Sequence, residues 1–180
     1  MNNLFDKDKA INALLYILNK LTTKKDMHKI SKIFYFADQE HLAKYGRTIT
    51  GDTYIAMDFG PVPSCLDDIF KAVRGDSYFS NCSEEFKKSF HFINNFEMES
   101  STAANMDYLS KTDISCLDNA IKLCGKKSFK ELVTLSHDYA WNATGKNSAM
   151  SYKDILTEAG ADDDYINFTM QNMELEKALL

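Results

Sequence analysis

Both prolines of this 180-residue chain, Pro61 and Pro63, and three of its seven glycines, Gly46, Gly51 and Gly60, fall between residues 45 and 63. Proline fixes its own φ and pushes the preceding residue toward extended geometry, while glycine opens positive φ. Phe59-Gly60-Pro61-Val62-Pro63 is therefore expected to be a rigid, non-helical turn that gives the chain one shaped loop.

Helical periodicity flanks it. Ile11, Leu14, Leu15, Leu18 and Leu21 recur at helical spacing. Asp26 is placed to cap a second helix whose Met27, Ile30, Ile33, Phe34 and Ala37 fall on one face, and Gly46 should end it. Pro63 or Ser64 opens a third, carrying Cys65, Leu66, Ile69, Phe70 and Val73 and stopped by Gly75. Between Lys88 and Leu109 the period becomes two. Phe90 and Phe92, then Phe96 and Met98, flank Asn94-Asn95 as in a β-hairpin, with a third short strand expected near Met106 to Leu109.

Ser110 and Ser128 each stand three residues before a carboxylate, Asp113 and Glu131, as helix caps do. The first of these helices carries Ile114, Leu117, Ala120 and Ile121 and stops at Gly125; the second carries Leu132, Val133 and Leu135 and runs on to His137 and Trp141. Ser151 opens a short helix closed by Gly160, and Asp162, Asp163 and Asp164 begin a last one with Ile166, Met170 and Met173 inside. The expected class is mainly α (α+β): one domain over residues 1–180, a bundle of about six to seven helices with a small antiparallel hairpin or three-stranded sheet.

Charge and cysteine placement narrow the function classes. The 21 Lys and Arg against 26 Asp and Glu leave −5, and only Arg47 and Arg74 are arginines, which argues against nucleic acid as the main partner. Cys65, Cys82, Cys116 and Cys124 lie far apart with no C-x-x-C pair, so neither a metal nor a cofactor is expected. The start lacks the basic and apolar runs of a leader, and no window approaches the ~18 apolar residues of a membrane span, which points to a cytoplasmic chain with reduced thiols.

Nothing in the sequence demands an enzyme. His137 and Asp138 are adjacent on the expected helix and so cannot face each other as a catalytic dyad; His137 reads as a structural, buried or half-buried histidine. Asp38 and His41 read as a surface pair, and Asp162 to Asp164 as helix capping, since the closing Glu and central Gly of a calcium loop are missing. The strongest candidate is the segment from Tyr54 to Pro63, which joins Tyr54, Ile55, Met57 and Phe59 to a stiff backbone. Preorganised aromatic loops bind well, because ordering costs little on association. The plainer alternative is that these side chains plug the core beneath the loop.

Ile33-Phe-Tyr-Phe-Ala-Asp-Gln-Glu-His-Leu-Ala-Lys-Tyr-Gly-Arg47, Ile49-Thr-Gly-Asp52 and Tyr54-Ile-Ala-Met-Asp-Phe-Gly-Pro-Val-Pro63 resemble the opening signature of the Panacea, or SocA-like antitoxin, domain. The helix start at Leu109-Ser110, the stretch Leu132 to Trp141 and the closing Leu175-Glu-Lys-Ala-Leu179 are similar too. The resemblance implies a mostly helical fold with a small β element. It also implies a bacterial or phage antitoxin of a type II toxin–antitoxin pair, which neutralises a protein toxin encoded nearby by direct binding. Such contact needs roughly 800 Å² from one partner. Candidate contact residues are Tyr35, His41, Tyr54, Met57, Asp58, Phe59, Gly60, Pro61, Val62, Pro63, His137 and Trp141.

The net acidity would suit a basic toxin. Masking, distortion and delivery to a host protease stay open as modes of neutralisation. Two other readings stand beside this one. A DNA-binding regulator of its own operon is motivated by Lys20, Lys24, Lys25, Lys29 and Lys32, and an enzyme would use His137 with Asp58 or Asp38.

Overall fold

The computed structural model describes residues 5–75 and 83–179. Residues 1–4, read above for a leader, and Cys82 lie outside them. Asp6 and Asp26 cap the first two helices, α1 (Lys7–Lys20) and α2 (Met27–Tyr45), each carboxylate accepting from the backbone three residues on. Gly46 ends α2 at φ +70, a left-handed stop that costs a glycine little. The sequence assigns α2 one apolar face, but the structure buries residues 29–38 without a break. It packs against residues 60–63, 111–124, 129–136 and 152–158, so Lys29, Ser31, Lys32, Asp38 and His41 are also enclosed and must find partners.

The expected rigid turn is part of a hairpin. β1 (Tyr54–Met57) pairs antiparallel with β2 (Gly60–Pro63) around Asp58-Phe59. The residues after it make α3 (Ser64–Arg74), α4 (Ser83–Lys87) and a second hairpin of β3 (Phe90–Phe92) and β4 (Met98–Ser100). Phe96 lies in that hairpin's turn rather than in a strand. Residues Met106–Tyr108 form a 3₁₀ turn in place of the expected third strand, because Asn105 caps them through the Asp107 amide.

The remaining helices are α5 (Lys111–Cys124), α6 (Phe129–Ser136), α7 (Tyr139–Asn142), α8 (Tyr152–Glu158) and α9 (Asp163–Leu179). Both Ser110–Asp113 and Ser128–Glu131 are reciprocal capping boxes. The described residues hold nine α-helices, more than expected, because the short α4 carries no periodic signal and the run to Trp141 divides. His137 closes α6 and Asp138 caps α7 through the Trp141 amide at 2.9 Å. About 60% of the described residues are helical, in the mainly-α, α+β class. None of these helices is long and apolar enough to cross a membrane.

Two buried carboxylates fix the hairpin's base. Asp38 on α2 accepts from the Ile49 amide at 2.6 Å and the Tyr54 hydroxyl at 2.7 Å. Burial pushes its carboxyl up to about 6, against the pull of those hydrogen bonds. Asp52 accepts from the amides of Thr53, Cys65 and Leu66 at 2.8, 2.9 and 3.0 Å. It thereby caps α3, whose own cap position is Pro63 and makes no side-chain bond. On its far edge β1 is covered by residues 147–150, with Ala56 donating to Ser148 and Met150 to Tyr54.

Asp52→Ala should leave three amides short of an acceptor and lower stability by about 1–3 kcal/mol, read as a shift in the urea midpoint at unchanged slope.

Candidate functional site

The hairpin tip is held by hydrogen bonds to its own carbonyls from side chains on neighbouring helices. Lys32, in the middle of α2, donates from Nζ to the Pro61 carbonyl at 2.7 Å. His28, one turn earlier, pairs Nε2 with the Phe59 carbonyl at 3.1 Å. Trp141 of α7 donates from Nε1 to the Met57 carbonyl at 3.0 Å. His137 bonds the main chain of Asp58 and stacks flat on Trp141, ring centres 3.6 Å apart and 5° from parallel. Burial and the nearby Lys32 hold the imidazoles of His28 and His137 below the usual range, which favours neutral rings.

Gly60 is required twice over. Its φ is +96, and a Cβ there would collide with Ser136 Oγ and stand 3.0 Å from Lys32 Cε and Nζ. The lysine amine is sealed under the strand, fully buried, and burial pushes it down to about 7.

Above this floor lies an apolar groove. Met57 and Phe59 at the tip are 39% and 58% exposed, and Phe96 and Phe129 are 62% and 52% exposed, so residues from three separate segments meet on one face. Phe129 sits between His28 and Phe59, with ring centres at 4.3 and 5.3 Å. Two hollows of about 360 and 410 Å³ adjoin here and share Met27, His28, Phe96 and Phe129. Large solvent-facing aromatic clusters of this kind mark interaction surfaces.

The candidate contact residues separate into two groups. Met57, Asp58 and Phe59 are exposed, and Val62, His137 and Trp141 are partly so; Asp58 also pairs with Lys146 at 2.7 Å. Gly60, Pro61 and Pro63 are buried and shape the backbone. Tyr35, His41 and Tyr54 are fully enclosed. Tyr35 donates to Asp138 at 2.7 Å, and Tyr54 to Asp38. The expected surface pair of Asp38 and His41 is therefore corrected: both are buried, and they face different partners. His41 lies 2.8 Å from the Arg47 carbonyl and 3.0 Å from Asp113, which Lys9 and Arg47 also approach. Burial pushes the Asp113 carboxyl up, but bonds from His41, Lys9 and Ser110 outweigh it and hold it well below the usual range.

The competing readings lose their supporting residues. Lys20 is tied to Asp118 and Lys24 to Glu97, while Lys29 and Lys32 point inward to carbonyls, so four of the five lysines that motivated DNA binding are already engaged. For an enzyme, His137 meets the Asp58 backbone rather than its carboxylate, and both oxygens of Asp38 are bonded inside the core. Among the described residues no three His, Cys, Asp or Glu side chains converge as metal ligands would. His28, Lys32, Phe96 and Phe129 were missed from sequence. A lysine between Ile30 and Ile33 in a buried helix was the available signal for Lys32; Phe129, first residue after a capping box, carried none.

The family model described as "Antitoxin SocA-like, Panacea domain" matches residues 30–142. That span holds α2 from Ile30 onward, both hairpins and the helices through α7, but neither the segment from Ser151 nor Leu175 to Leu179. No curated protein and no solved structure matches the chain.

Gly60→Ala should destabilise by about 1–3 kcal/mol and raise amide exchange in residues 54–63, since both φ and the contact with Ser136 forbid the methyl. The Lys32 amine gives a pH signature. Between about pH 7 and its ordinary value near 10.5 the unfolded chain keeps the proton that the native chain has lost, so stability rises with pH in that window and this contribution is flat below it. The buried thiols of Cys116 and Cys124, pushed up to about 11 and about 12, act in the opposite direction above pH 9. Chemical denaturation from pH 7 to 9 should show the rise in the native sequence, on the order of a few kcal/mol, and its loss in Lys32→Met.

Proposed function

Because the chain belongs to the SocA-like antitoxin family, Panacea domain, we propose that it is the antitoxin of a type II pair. It neutralises a cognate protein toxin encoded nearby by direct contact through the clamped hairpin and the groove beside it. The single observation that carries this reading is the hairpin tip itself. Met57 and Phe59 face solvent while His28, Lys32 and Trp141 hold the carbonyls of Phe59, Pro61 and Met57. A side chain so presented has lost most of its backbone freedom before any partner arrives, and the ordering penalty that weakens loop-mediated binding is reduced.

Binding of this kind requires no catalytic group. Neutralisation follows from area and complementarity, with a few aromatic anchors supplying most of the affinity. Met57 and Phe59 are the anchors of the tip, and the stacked His137–Trp141 pair supports them from beneath.

The test is co-expression with the adjacent gene product. That product should arrest growth when induced alone and be harmless when this chain is present. A product that is not toxic alone, or that stays toxic beside folded protein, overturns the reading. Phe59→Ala should keep the native melting temperature yet weaken toxin binding by about tenfold or more, measured by calorimetry.

A further inference from the structure

The groove carries a charge opposite to that of the chain. The whole sequence sums to −5, yet residues 119–130 contain Lys122, Lys126, Lys127 and Lys130 and no acidic residue. Lys24, Lys29 and Lys127 line the hollow beside Phe129. Hydrogen bonding leaves the carboxylates here charged, but in the lining of that hollow Asp26 alone stands against the three lysines. Asp26 accepts the Lys29 amide, Glu97 holds Lys24 at 2.8 Å, and Glu131 accepts the Ser128 amide. Lys127 forms no ion pair among the described residues. At the hairpin end Lys71 is shared by Asp67 at 2.7 Å and Asp68 at 3.4 Å, and Lys146 pairs with Asp58 at 2.7 Å, so no lysine stands in excess there. The surface is thus apolar along its length and positive at one end.

We propose that this groove receives a short partner segment that sets apolar side chains against Phe59, Phe96 and Phe129 and directs aspartate or glutamate toward Lys127. The inference rests on the antitoxin reading and adds the chemistry of the toxin segment it recognises. Several observations favour a peptide over a nucleic acid. Arg47 is turned to Asp113 and Arg74 to the Asn95 carbonyl, so no guanidinium stands ready to clamp phosphate. A polyanion also meets the net negative charge of the whole chain, whereas a few carboxylates respond chiefly to charges within a Debye length, ~8 Å at physiological salt. The contact chemistry of the toxin segment is therefore acidic, whatever the toxin's overall charge.

A phage-displayed library of random dodecapeptides, panned on the full chain, tests this without knowledge of the toxin. The enriched peptides should combine aromatic or aliphatic residues with a net negative charge. Their affinity should fall about tenfold or more in Phe129→Ala and in Lys127→Glu, two variants expected to keep the native melting temperature, and should weaken as salt rises. Enrichment of basic or uncharged peptides overturns the proposal, as does affinity that neither variant changes. Tighter binding of a single-stranded thymidine oligonucleotide, or self-association of the chain that Phe129→Ala abolishes, overturns it in favour of another occupant. If the neighbouring product is neutralised equally well by both variants, the groove assignment fails while the antitoxin reading stands. If acidic peptides bind as described but the neighbour is not toxic, the antitoxin reading fails and the groove remains a binding site.

Discussion

A lysine amine buried at the centre of the longest helix governs what surrounds it. Lys32 has no route to water, so its Nζ needs an acceptor, and the Pro61 carbonyl 2.7 Å away is the acceptor it has. For that carbonyl to come so close, the strand must lie directly on α2, and the residue before Pro61 must have neither a side chain nor an ordinary φ. The two prolines then remove donors that would otherwise need partners at the same packed interface. Lys32, Gly60, Pro61 and Pro63 form one mutually dependent unit.

The neighbouring buried polar groups work the same way. Asp38 and Asp52 turn a short glycine-rich connection into a fixed base by accepting its amides and those of α3, while Asp138 joins the Tyr35 hydroxyl to the start of α7. The family signature is thus mainly an internal brace. What its hairpin presents outward is small: the tip residues Met57, Asp58 and Phe59. The surface beside that tip is completed by Phe96 and Phe129, which lie outside the signature blocks.

Legibility from sequence followed the range of the interaction. Caps and stops were readable because they are local: Asp26, Ser110, Ser128 and Ser151 all fell where expected, while Asp6 and Asp138 were caps not anticipated. The non-helical course of residues 59–63 was likewise readable from Gly and Pro alone, although the pairing of Gly60–Pro63 as a strand with Tyr54–Met57 was not. The burial of Asp38 and His41 was invisible, since spacing on a helix says nothing about a loop that folds back over it. The groove was least readable, because Phe59, Phe96 and Phe129 are brought together only by the way two hairpins and α6 dock on α2. Residue type located the tip; tertiary contact made the site.

The cover on β1 separates the family's boundary from the boundary of the folded unit. Residues 147–150 pair with the outer edge of β1, and Tyr152 donates to the Asp52 carbonyl at 2.7 Å, yet the family match stops at residue 142. A fragment cut at that point would keep every residue of the opening signature and leave the Ala56 amide and the carbonyls of Tyr54 and Ala56 open along a bare strand edge. Such an edge invites pairing with another extended chain. In this protein the segment that follows the family match occupies that edge and leaves no room there for a second strand to pair with the hairpin.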